Sequence, residues 1–302
     1  MRNQNLRGTL QLLLAAFIWG SAFVAQSEGM DYVGPLTFLS VRFFVGGIVL
    51  IPILLFKRAK NNTDYKTAEK ADLKYTLMGG VCCGILLTVA SGLQQFGILY
   101  TTVSKAGFIT TLYVIMVPLC GLFFGKRIGL GVWLSVFLAT AGLYLLCMTE
   151  GLTLATGDFL VFLCAVAYTA QILAVDRFVG KIEPILLSCM QFLTVSIVSA
   201  VPAIVFEQPT LGSILSAWLP ILYAGVLSSG VAFTLQVVAQ RYTEPTIAAI
   251  TMSFESVFAA LSGCLLLSEQ LTMRELIGCI IMFCAIILAQ LPREWFGFKR
   301  KS

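Results

Sequence analysis

Leu93-Gln-Gln-Phe-Gly-Ile-Leu-Tyr-Thr101 and Leu235-Gln-Val-Val-Ala-Gln-Arg-Tyr-Thr243 are two versions of one segment, 142 residues apart. The same offset sets Tyr113 opposite Glu255. Nearer the start of each copy, Trp19, Pro35 and Arg42 stand opposite Tyr168, Pro184 and Gln191, and after a one-residue slip Lys126 and Gly142 meet Glu269 and Ala285. No single match decides anything; their shared order marks an internal repeat. Ten apolar segments accompany it, at about 8–28, 34–56, 73–99, 104–124, 129–148, 157–177, 184–206, 213–240, 244–267 and 272–291. Five fall in each copy, 1–150 and 151–302. An odd number of crossings turns the second copy upside down, and inverted repeats of this kind place a solute site near the bilayer midplane. The expected fold is therefore all-α and membrane-embedded, with ten transmembrane helices as two inverted five-helix repeats.

Composition agrees. The 302 residues are 58% hydrophobic and 12% charged, which excludes an ordinary soluble enzyme. Of the 20 Lys and Arg, only Lys105 and Arg274 fall on the outer side of this topology, and Arg42 lies within a helix. All others are on the side of the N-terminus, so both termini are predicted cytoplasmic in a bacterial-type plasma membrane. The basic tail reads as a membrane-surface anchor and not as a nucleic-acid patch. The first apolar run, Leu10 to Ala25, lacks a small-x-small cleavage site and has a counterpart later in the chain, so it reads as a retained helix. Nine cysteines without a histidine make no metal pattern, and most sit in apolar runs as small hydrophobes. There is no Gly-x-Ser-x-Gly, phosphate loop or acidic metal cluster, so neither an enzyme nor a single-chain ATP-driven pump is expected, and no cofactor is called for.

Several motifs resemble those of the drug/metabolite transporter superfamily, in its ten-helix branch built from two EamA-type domains. They are Trp19-Gly-Ser21, Pro35 with Arg42 seven residues on, Tyr100-Thr-Thr102, Leu112-Tyr-Val-Ile-Met-Val-Pro118, Phe254-Glu-Ser-Val-Phe-Ala-Ala260 and Ser268-Glu-Gln-Leu271. The resemblance spans 8–291. It implies a secondary transporter, often an exporter of amino acids or related metabolites, with a central cavity between the halves. Two positions depart from the family pattern: Lys126-Arg127 replaces a glutamate after the fourth helix, and Ser256 replaces a proline in the ninth.

Candidate site residues follow from depth. The run from Thr246 to Leu267 is about 22 residues, enough at 1.5 Å each to cross roughly 30 Å of hydrocarbon. Glu255 falls near its middle, where a carboxylate must face a cavity or a partner. Arg42 lies about eight residues, or roughly 12 Å, inside its own helix, at nearly the same height. Three arrangements are open: an Arg42–Glu255 ion pair, Glu255 lining the cavity alone, or Arg42 reaching outward to the interface. Free of Arg42, Glu255 is a candidate proton carrier.

Trp19, Tyr113 and Tyr168 are candidate cavity walls. Gln94, Gln171, Gln191 and Gln236 are candidate hydrogen-bond partners for a polar solute, against the plainer reading that they join helices. Thr251 shares a helix face with Glu255, four residues on, and Thr110 accompanies Tyr113. The small-xxx-small pairs Gly121/Gly125 and Ala259/Gly263 read as close helix contacts. Gly79, Gly80, Gly84 and Gly92 either soften the third helix or simply pack it.

The leading expectation is a secondary transporter of small polar or amphipathic metabolites such as amino acids. It would work outward, by alternating access, with a proton or ion as coupling partner, as a monomer or homodimer in the lipid bilayer. An organic-cation transporter with Glu255 as counter-charge is the first alternative. A membrane scaffold or regulatory subunit with a vestigial cavity is the second.

Overall fold

In the computed structural model the described residues are 2–60, 73–101, 103–123, 125, 129–147, 156–267 and 272–290. They form helices and connecting turns. In order these are α1 (Arg2–Gly29), α2 (Pro35–Lys60), α3 (Leu73–Ile98), α4a (Val103–Thr110), α4b (Tyr113–Phe123), α5 (Leu130–Cys147) and α6 (Thr156–Val179). The second half continues with α7 (Pro184–Glu207), α8 (Trp218–Gln240), α9a (Pro245–Met252), α9b (Glu255–Leu267) and α10 (Met273–Gln290). A short helix, Leu211–Ser216, precedes α8. Seven of the described helices are long and apolar enough to cross a bilayer, while α5, α9 and α10 contribute shorter apolar stretches. Lys126-Arg127, Ser268–Leu271, the 61–72 loop and the tail from 291 lie outside the described residues.

Packing repeats itself between the halves. Helix α2 lies along α7 and α5 along α10, each against its own counterpart. Helix α3 lies along α6 as α1 lies along α8, and α3 meets α7 as α8 meets α2. Exchange of the two repeats therefore maps the bundle onto itself. Pro35 and Pro184 each open their helix, where a missing N–H leaves no bond unmade. Large apolar side chains such as Phe44, Phe137, Ile197 and Phe206 point outward, and lipid is the medium that would cover such a perimeter.

The α2–α7 pair is tied at both ends. Glu207, closing a π turn of α7, accepts from Leu36 N and Thr37 N, both at 2.8 Å, and from Thr37 Oγ1 at 2.6 Å. A carboxylate thus satisfies two of the orphan donors at the start of α2. At the far end Lys57 Nζ meets Glu183 Oε1 at 2.8 Å, while Glu183 caps α7 through Leu186 N at 2.7 Å.

Two helices differ from the unbroken rods expected. The fourth is interrupted at Thr111-Leu112 and the ninth at Ser253-Phe254. The backbone there tightens to i→i−3 bonds, Val114 N to Thr111 O and Ser256 N to Ser253 O. The local cause is hydroxyl competition: Thr111 Oγ1 donates to Gly107 O and Phe108 O, and Ser253 Oγ to Ile250 O. The two breaks occupy equivalent places in the repeats, so Tyr113 and Glu255 each begin a second half-helix. In the third helix no break occurs. Gly79, Gly80 and Gly84 face Phe178, Met190 and Thr194, so packing and not bending accounts for them. Gly125 has φ +71° and sits past the end of α4b, not inside a helix pair with Gly121.

Candidate functional site

The halves enclose a narrow cavity lined by residues of both repeats. Helix α1 contributes Trp19, Phe23 and Gln26; α2 contributes Arg42, and α3 contributes Gln94. Thr110 and Tyr113 flank the break in the fourth helix, Met252 and Glu255 that in the ninth. Tyr168 and Ile172 come from α6, and Ser228, Phe233 and Gln236 from α8.

The Trp-Gly-Ser motif holds this assembly together. Trp19 Nε1 donates to Ser228 O at 3.3 Å, and its ring stands edge-on to Phe233 with centroids 4.7 Å apart. Ser228 lies in the π-helical stretch Tyr223–Phe233, whose wider turn gives its carbonyl a partner outside the helix. A Cβ on Gly20 would collide with Glu255 O and Ala259 N, so only glycine lets α1 lie directly on the start of α9b. Ser21 Oγ shares a 2.6 Å hydrogen bond with Tyr223 Oη. Three consecutive residues thus fix α1 to α8 and α9b. The role of Gly20 and Ser21 is missed by a search for polar cavity groups; the small residues beside a mid-helix tryptophan are the signal that finds it.

Arg42 and Glu255 share the cavity without meeting. Lys57 and Glu183 form an ion pair, whereas Arg42 and Glu255 do not come within 4.0 Å of each other, so the direct Arg42–Glu255 pair is absent. Arg42 does not reach outward either, for it is 2% exposed. Its guanidinium lies over the rings of Phe43 and Phe38, 4.9 and 5.9 Å from their centroids. Its Nε is fully enclosed and has no hydrogen-bond partner. Glu255 is 5% exposed and begins α9b, where the positive end of the half-helix favours a negative charge. Tyr113 is near enough to Glu255 to interact with it electrostatically, yet its hydroxyl satisfies no strict hydrogen-bond geometry. Tyr168 Oη is bonded to Ser91 Oγ at 3.0 Å.

The amides divide. Gln94 and Gln236 line the cavity, and Gln94 Nε2 donates to Thr110 Oγ1 at 3.2 Å. Gln171 and Gln191 do not line it. They belong to a buried chain in the second repeat, from Gln191 Oε1 to Gln171 Nε2 (3.4 Å), Gln171 Oε1 to Gln236 Nε2 (3.2 Å), Gln236 Nε2 to Gln240 Oε1 (3.2 Å) and Gln240 Nε2 to Ile172 O (3.0 Å). For these two the helix-joining reading fits the geometry. Thr251 turns back to Ile247 O at 2.8 Å and is not among the cavity residues. No group of three or more metal-ligating side chains occurs among the described residues.

Comparison with known proteins agrees with this architecture. The model of the EamA-like transporter family matches twice, over residues 6–148 and 155–291. An uncharacterized transporter of Archaeoglobus fulgidus is 30% identical over 293 residues, covering 95% of this chain and 87% of that protein. The uncharacterized transporter YoaV of Bacillus subtilis is 22% identical over 300 residues, covering 97% and 98%. A shorter likeness, 34% over 98 residues, covers 32% of this chain and 28% of an S-adenosylmethionine/S-adenosylhomocysteine transporter from Chlamydia muridarum. A solved crystal structure superposes with a TM-score of 0.79 at 18% identity, over 96% of this chain and 99% of the other, a likeness of fold. With both copies of the repeat matched and a full-length relative at 30% identity, the chain belongs to the EamA-like transporter family, within the drug/metabolite transporter superfamily.

Proposed function

We propose that the chain is a secondary transporter exporting small polar or amphipathic metabolites, amino acids and similar zwitterions foremost. The observation that carries this reading is a pair of opposite charges facing one aromatic-walled cavity without touching. A guanidinium and a carboxylate taken out of bulk water and held apart each keep part of a desolvation penalty of several kcal/mol. A solute bearing an ammonium and a carboxylate relieves both. Glu255 takes the ammonium, or a coupling proton in its place, and Arg42 takes the carboxylate. Trp19, Tyr113 and Tyr168 hold the apolar body, and Gln94 and Gln236 contact it from repeat-related positions. Gln171, Gln191 and Thr251 support this wall from behind. Residues 1–150 and 151–302 act as the two functional halves, with both termini cytoplasmic.

A second reading rests on the rings of Trp19, Phe23, Tyr113, Tyr168 and Phe233 around a single carboxylate, a setting that suits an organic cation. The partial likeness to the Chlamydia muridarum protein adds S-adenosylmethionine to the solutes worth trying.

Flux into proteoliposomes tests both. A pH gradient is expected to drive a labelled amino acid in wild type. In Glu255→Gln this flux falls at least tenfold, about 1.4 kcal/mol, while solute counterflow persists. Unchanged gradient-driven flux in that variant removes the proton role. Inhibition by a quaternary amine, with amino acids inert, selects the cation reading.

A further inference from the structure

We infer that Arg42 forms an anion subsite in the central cavity, filled by the carboxylate of the transported solute and, in its absence, by a small inorganic anion such as chloride. The carboxylate half of this statement rests on the transport reading above; the anion half stands on the geometry alone.

Arg42 is the largest of the nearly fully enclosed side chains, and a guanidinium keeps its charge under all ordinary conditions. It offers five N–H donors. Among the described residues its Nε has no hydrogen-bond partner, and no carboxylate lies within 4.0 Å of the guanidinium. Phe43 and Phe38 attract the cation by their faces, worth about 2 kcal/mol when desolvated, but they accept no hydrogen bond of ordinary strength. That falls short of a penalty of several kcal/mol for a buried ion. Tyr168, close enough to act on Arg42 electrostatically, shares a 3.0 Å hydrogen bond with Ser91 and makes none with the guanidinium. Arg42 lines the cavity, so a solute or ion that enters there can complete its bonding. A carboxylate satisfies two N–H groups at once, and a halide satisfies the same donors without the fork.

The counterpart position in the second repeat separates a binding role from a packing role. Gln191 occupies it, is neutral, and accepts from Gln171 Nε2. The scaffold therefore builds this helix crossing without a cation, and packing alone does not call for a charge at 42.

The test measures thermal stability of purified protein in chloride, bromide or acetate against methanesulfonate at constant ionic strength. A saturable rise in Tm is expected, with acetate and chloride competing. Glu255→Gln keeps the rise. Arg42→Gln, which installs the residue of the other repeat, weakens the anion at least tenfold. Should that variant fail to fold, crystals of wild type grown in bromide decide, through an anomalous peak within hydrogen-bond reach of the guanidinium. A rise with acetate alone keeps the carboxylate half and removes the inorganic-anion half, and a rise with halide alone does the reverse. No rise with any of them, an equal rise in Arg42→Gln, or bromide that raises Tm yet is absent from Arg42 overturns the proposal. Solute flux on the same preparation separates the two claims: flux without anion binding defeats this inference only, and anion binding without flux defeats the transport reading only.

Discussion

Gln191, Gln171, Gln236 and Gln240 in the second repeat stand at the positions held in the first by Arg42, Ala22, Gln94 and Ile98. The second-repeat set is linked through four hydrogen bonds reaching from α7 across α6 and α8, with Gln191 Nε2 and Gln236 Oε1 left unpaired. In the first repeat the same scaffold carries a cation with an orphan Nε, and an amide whose partner is Thr110. In the second repeat these amides chiefly join helices, Gln236 also reaching the cavity, whereas in the first repeat the corresponding positions place a cation and an amide on the same hollow. Symmetry of backbone is thus compatible with a difference of use between copies.

The strongest way to break this contrast is to move the charge across. Gln191→Arg sets a guanidinium beside the linked amides of α6 and α8 at a site with no exposure. A destabilisation of about 3–5 kcal/mol is expected for an uncompensated buried charge. Thermal unfolding in detergent measures it, and a variant as stable as wild type would show the chain to be looser than its distances suggest. A milder probe is Gln236→Leu, which takes away the donor shared by Gln171 and Gln240. The loss should be about 1 kcal/mol, since interhelical side-chain bonds in membranes average roughly 0.6 and reach about 1.7 kcal/mol. A double-mutant cycle with Gln171→Leu checks that the two act through each other. The smallest effect belongs to Lys57→Ala. Its ion pair is close at 2.8 Å, but the lysine is 48% exposed, so the change is expected to stay below about 1 kcal/mol and to shrink in salt.

Much of the fold is legible in the sequence because its decisive signals are local. Apolar length gives each helix, proline gives the starts of α2, α7 and α9a, and recurring order gives the repeat. The breaks are less visible. Thr111 and Ser253 look like ordinary polar interruptions until their hydroxyls are seen bonded to carbonyls of the preceding turn. The site is half legible. Depth along a helix follows from counting residues, and it brings Arg42, Glu255, Trp19, Tyr113 and Tyr168 to one level. Whether two groups at one level touch depends on how each helix is rotated, and that is set by contacts between elements. Gly46 and Gly225 let α2 and α8 cross in backbone contact, so the path of α2 past its neighbours follows from glycines distant in sequence. Counting alone therefore left an Arg42–Glu255 pair open, and the geometry does not make it.

The carboxylate of Glu207 has a mechanical consequence. It grips two backbone amides and a hydroxyl at one tip of α2, and Lys57 is clasped by Glu183 at the other. A rod pinned top and bottom to its own mirror image cannot slide lengthwise unless a three-pronged clasp and an ionic one open together. Together α2 and α7 form one antiparallel seam registered at both ends, and Arg42 is carried on it.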